Sequence, residues 1–128
     1  MKRFVSTIVT VAALTLAACD SGPSGPGELD ATLQGPNQNL GGAVVEISGK
    51  GIEGFAGSGG TRVFSAAVTG SPDTYRVILL NETPGELRFQ VSVQDVGGND
   101  PTSTVVSLVN GINASLPATG DYRVRFSR

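Results

Sequence analysis

Apolar and polar side chains alternate with a period of two along most of this chain, and that alternation limits what it can become. In the clearest stretch Leu87, Phe89, Val91 and Val93 are set against Glu86, Arg88, Gln90, Ser92 and Gln94. A strand turns successive side chains to opposite faces, so such a run puts one apolar face on a core and one polar face in water. The pattern recurs in Leu29, Ala31 and Leu33, in Ala43, Val45 and Ile47, and in Tyr122, Val124 and Phe126. Val105, Val106, Leu108 and Val109 mark a further strand over 102–109, and Val63 and Phe64 a less regular one over 61–69. Tyr75-Arg76-Val77-Ile78-Leu79-Leu80 is apolar almost throughout, which predicts a strand buried on much of both faces.

Between these runs lie clusters whose residues accept tight or left-handed backbone: Gly70-Ser71-Pro72-Asp73, Thr83-Pro84-Gly85, residues 96–101, Asn110-Gly111 and Thr119-Gly120-Asp121. Gly49–Gly60, with Lys50, Ile52, Glu53 and Phe55 among its glycines, reads as a long mobile hairpin connection. After residue 18, no window of eleven or more residues keeps apolar residues at helical spacing. About seven strands are therefore expected in an all-β fold, a small antiparallel two-sheet sandwich. A chain of this size buries roughly 65% of its unfolded surface. Phe55, Phe64, Phe89, Phe126, Tyr75 and Tyr122 are expected to supply the bulky part of the core.

Composition excludes much chemistry. The 128 residues contain no His, no Trp and one Cys, which removes Ser-His-Asp triads, Cys-His nucleophiles, His/Cys zinc sites and any intramolecular disulfide. A formal net charge of −2 gives no basic stripe to meet phosphates, so no nucleic-acid partner is expected.

The amino-terminal segment has a different character. Lys2 and Arg3 precede fifteen uncharged residues, Phe4 to Ala18, which end in Leu16-Ala17-Ala18-Cys19. A positive start, an apolar run and small residues before a break are the layout of a secretory signal. The run stops short of the about 20 apolar residues a membrane span needs. Leu16-Ala17-Ala18-Cys19 resembles the lipobox of bacterial lipoproteins. That resemblance implies cleavage between Ala18 and Cys19, acylation of Cys19, and a place in the bacterial cell envelope, anchored to a membrane and facing away from the cytoplasm. Each buried CH₂ of an acyl chain contributes about 0.8 kcal/mol, so two or three chains hold stably. Loss of Lys2 and Arg3 leaves seven basic residues against eleven acids, a side-chain net of −4.

The expected organisation is a signal peptide over 1–18, the lipidated Cys19 with a flexible Gly/Pro/Ser tether over 19–27, and a sandwich over 28–128. The tether, Asp20-Ser21-Gly22-Pro23-Ser24-Gly25-Pro26-Gly27, has no large apolar side chain to bury. The run Gly42-Ala43-Val44-Val45-Glu46-Ile47, followed by Tyr75-Arg76-Val77-Ile78-Leu79, Pro84-Gly85-Glu86-Leu87-Arg88-Phe89 and the closing Tyr122-Arg123-Val124-Arg125-Phe126, resembles the strand layout of small cohesin-like or immunoglobulin-like sandwiches of bacterial surface proteins. That resemblance brings no catalytic or binding residue with it.

Few residues suggest chemistry. Glu46, Glu53, Glu82 and Glu86 lack the aromatic platforms of a glycosidase cleft, and no enzymatic activity is expected. The glycines of 49–60 do not form a phosphate loop. Asp95, Asn99 and Asp100 offer at most a partial set of oxygen ligands for calcium, and turn formation explains them without a metal, so no metal site is expected. Asn81-Glu82-Thr83 and Asn113-Ala114-Ser115 read as turns rather than glycosylation sites. Arg76, Arg88, Arg123 and Arg125 are expected to pair across strands with Glu46 or Glu86. No cofactor is expected. The expected function is a membrane-anchored envelope lipoprotein with a non-catalytic module for protein contact or structure. The alternative is a glycan or cell-wall-polymer module using Tyr75, Tyr122 and Phe55, and a hydrolase comes third.

Overall fold

A computed structural model describes residues 22–117 and 119–128. Ala18, Cys19 and the rest of the expected signal segment lie outside the described residues. Among the described residues eight strands form: β1 (Gly27–Gln34), β2 (Leu40–Ser48), β3 (Ile52–Ser58), β4 (Thr61–Ala67), β5 (Thr74–Gly85), β6 (Arg88–Val93), β7 (Thr102–Asn110) and β8 (Arg123–Ser127). One sheet has the order β3-β6-β1-β8, the other β4-β5-β2-β7, and every pairing is antiparallel. The only helical element among the described residues is a 3-10 turn at Thr119–Asp121. The chain is an all-β, two-sheet sandwich.

The inner faces meet in one core. Leu29, Ala31 and Leu33 from β1 and Phe89, Val91 and Val93 from β6 face Val45 and Ile47 from β2 and Val77 and Leu79 from β5. Phe89, 1% exposed, is the largest side chain fully enclosed. Phe55 packs edge-on against Tyr75 with ring centroids 5.6 Å apart, a favoured quadrupole geometry. Tyr122 is buried, and its ring lies where a Cβ on Gly35 would be, so only glycine fits there.

Four expectations are corrected. Residues 49–60 are not a long connection: β3 occupies Ile52–Ser58 and pairs with β6, placing Phe55 opposite Val91. Gly59 and Gly60 then reverse the chain with φ of 61° and 88°, the double left-handed conformation that suits a two-residue hairpin turn. At this corner Gly57 passes so close to Thr61 that a Cβ would sit 1.9 Å from the Thr61 carbonyl oxygen.

Phe64 is not in the core. Val63 and Phe64 are neighbours on one strand and cannot share a face; Val63 packs on the core, which leaves Phe64 outward and 56% exposed. Nor is the 75–80 run buried on both sides. Val77 and Leu79 are enclosed, but Ile78 and Leu80 point outward and are 40% and 43% exposed, because among the described residues no third layer covers this sheet.

The Thr83-Pro84-Gly85 segment is part of β5 rather than a separate turn. Gly42 pairs with Leu80 while Leu40 pairs with Gly85, so β5 carries extra residues that bow away from β2. Asn81 closes the opening: its amide nitrogen donates to the carbonyls of Leu40, Gly85 and Glu86 at 3.1–3.2 Å. Its amide oxygen accepts from Thr61 Oγ1 at 2.7 Å, and that hydroxyl accepts the Arg88 amide at 3.2 Å. The buried Thr61 thus stitches β4 of one sheet to β6 of the other.

Candidate functional site

The oxygen cluster singled out in the sequence lies in the loop between β6 and β7. Asp95 Oδ1 accepts the amides of Gly97 at 2.9 Å and Gly25 at 3.0 Å, and Val96 returns a backbone bond to Gly25 at 2.9 Å. These donors, with Arg128 nearby, hold its carboxyl below the ordinary value of 3.8. Asp100 pairs with Arg128 at 2.9 Å, and the same guanidinium donates to the Val96 and Gly98 carbonyls. Asp95 and Asp100 therefore fix a loop and dock Gly25, two residues ahead of β1, onto the sandwich. Asn99 stays exposed beside Lys50 at a shallow cleft. Among the described residues no three His, Cys, Asp or Glu side chains gather as metal ligands.

The carboxylates considered for catalysis are dispersed. Glu46 pairs with Arg76 across β2 and β5, Glu82 with Arg62 across β5 and β4 at 2.7 Å, and Glu86 approaches Arg88 at 3.6 Å. Asn113 sits in a turn with φ 60°, its amide bonded to the Asn110 carbonyl. The aromatics a glycan platform would use are taken up elsewhere. Phe55 and Tyr75 lean on the core, the Tyr75 hydroxyl reaches the Ile52 carbonyl at 3.5 Å, and the Tyr122 hydroxyl accepts the Asn37 amide at 3.1 Å.

A different surface stands out: the outer face of the β4-β5-β2-β7 sheet. The registers align Phe64 with Ile78, Ile78 with Val44 and Val44 with Ser107 in one row across all four strands. The adjacent row runs Arg62, Leu80, Gly42 and Val109. Gly42, having no side chain, leaves a depression floored by backbone and walled by Leu80, Val44 and Val109. Where β7 slips its register against β2, Val106 is left 44% exposed on this side of the molecule. The Arg62–Glu82 and Arg76–Glu46 pairs bound the apolar rows at opposite ends. Contiguous apolar side chains inside a charged rim are characteristic of contact surfaces.

The sequence pattern alone hides this face, because a run as apolar as 75–80 predicts burial of Ile78 and Leu80. The signal was present: a strand apolar on both sides, in a sandwich of only two layers, must expose one of them.

No helix among the described residues is long and apolar enough to cross a membrane. The chain matches no family model, no curated protein and no solved structure.

Proposed function

We propose that this protein is a lipid-anchored envelope lipoprotein whose sandwich makes protein contacts without catalysing a reaction. The observation that carries the contact is the apolar outer face formed by Phe64, Ile78, Leu80 and Val44. A second protein covering those side chains would gain roughly 25 cal/mol for each Å² of apolar surface removed from water. The anchoring rests on the sequence Leu16-Ala17-Ala18-Cys19 after its uncharged run.

Crosslinking in intact cells tests the contact. The wild-type protein is expected to capture a discrete protein species, and Ile78→Lys, an exposed position, is expected to abolish the capture while leaving far-UV circular dichroism unchanged. Capture that is equal in the two proteins, or binding of the wild type to purified polysaccharide instead, would overturn this assignment.

A further inference from the structure

A sandwich with two open sheets has four edge strands, and here three of them are guarded. On β8 the outward Val124 amide is met by Ser103 Oγ of β7 at 3.4 Å, and Arg123 and Arg125 add charge. On β7 the far edge is covered by the chain that follows, through a bridge between Val109 and Ser115 and a bond from the Leu116 amide to the Leu108 carbonyl at 2.9 Å. On β3 a register shift between Ile52 and Gly54 bends the strand at the exposed Glu53. Charge, cover and bulges are the ordinary protections of a sheet edge.

Strand β4 has none of them from Val63 to Ala67. Its register with β5 is unbroken, and the segment Val63-Phe64-Ser65-Ala66-Ala67 carries no charge and no proline. The parity of its backbone follows from its ends: the Val68 amide bonds the Thr74 carbonyl at 2.9 Å, and the Glu82 amide reaches the Gly60 carbonyl at 3.5 Å. Even-numbered residues therefore turn their amides and carbonyls to β5, and Val63, Ser65 and Ala67 turn theirs outward. At Thr61 the same edge is already covered by Gly57.

The geometry points to a second copy of this chain as the occupant of that edge, β4 pairing antiparallel with β4 about a two-fold axis at Phe64. In this register Val63 and Ser65 of one copy exchange backbone hydrogen bonds with Ser65 and Val63 of the other. On the outer face Arg62 lies across from Ala66, whose small side chain leaves room for it, so no like charges oppose. Phe64 lies across from Phe64, which continues the Phe64–Ile78–Val44 row through both sheets. The contact is isologous and closes on itself. It is also short, and anchoring both copies in one membrane raises their effective concentration. The inference rests on the protein-contact reading above and names its partner.

Cysteine scanning of the full chain in native membranes tests it, with oxidation followed by non-reducing electrophoresis. Phe64→Cys places two Cα atoms about 4.5 Å apart in a non-hydrogen-bonded pair, inside the roughly 4.4–6.8 Å that a disulfide spans. Ala66→Cys separates its two copies by four residues, about 13 Å at 3.3 Å per residue, too far to link. The expected result is that most Phe64→Cys protein runs at twice the monomer mass, while Ala66→Cys, Arg125→Cys and the wild type do not. Equal linkage at positions 64 and 66, or none at 64, overturns the inference. Linkage of position 64 to a different protein also overturns it, and leaves the protein-contact reading standing.

Discussion

Thr61→Val tests whether the two sheets are stitched by one hydroxyl. Valine keeps the shape of threonine but removes the Oγ1 that donates to Asn81 and accepts the Arg88 amide. Thr61 is 5% exposed, so water cannot replace the lost partner easily. Each stranded group costs about 1–3 kcal/mol, which gives a loss of roughly 2–6 kcal/mol for the two. At about 4 °C per kcal/mol for a domain of this size, the melting temperature should fall by roughly 8–24 °C. Thr61→Ser is the control: it keeps both hydrogen bonds and gives up one methyl group, about 1 kcal/mol. Thermal and urea unfolding followed by far-UV circular dichroism measure both variants. A valine variant as stable as the serine one would refute the reasoning.

At the β3–β4 corner, Gly57→Ala drives a Cβ into the Thr61 carbonyl and should cost about 1–3 kcal/mol by overpacking. Gly54→Ala on the same strand meets nothing within 4 Å and should be neutral or slightly stabilising in the same urea titration. The Asp95 carboxyl is held below 3.8 by the Gly25 and Gly97 amides, so its ionised form is favoured in the folded state. Its contribution is fully present above that value and is lost as pH falls through the lower, folded value. The Gly25 and Gly97 amide resonances should therefore shift together below pH 3.8 and stay flat in Asp95→Asn; a common midpoint at or above 3.8 would contradict the clamp.

Where the period-two alternation was strong, the sequence already showed the strand. Leu29, Leu33, Phe89, Val91, Ile47 and Val124 all face the core as their spacing implies. Strand β3 was hidden because its seven residues include only Ile52 and Phe55 as large apolar side chains, and its ladder with β6 supplies what local propensity does not. The Gly59-Gly60 pair was the available clue to the reversal that carries the chain from β3 in one sheet to β4 in the other. Burial was harder to read than strand identity. The pattern assigns faces within a strand but not which face of a sheet is covered, so it predicts burial for Phe64, Ile78 and Leu80, which no third layer covers among the described residues. The oxygen cluster was correctly located in a loop, yet only the fold reveals Arg128 and Gly25, 28 or more residues away from Asp95 or Asp100 in the chain, as the groups those carboxylates hold.

Lipidation of Cys19, proposed from Leu16-Ala17-Ala18-Cys19, is decided by intact-mass analysis of the full-length protein purified from its membranes. The predicted result is a chain beginning at Cys19 with the added mass of a diacylglyceryl group, lost entirely in Cys19→Ala. A mature chain that begins elsewhere, or an unmodified Cys19, would contradict it.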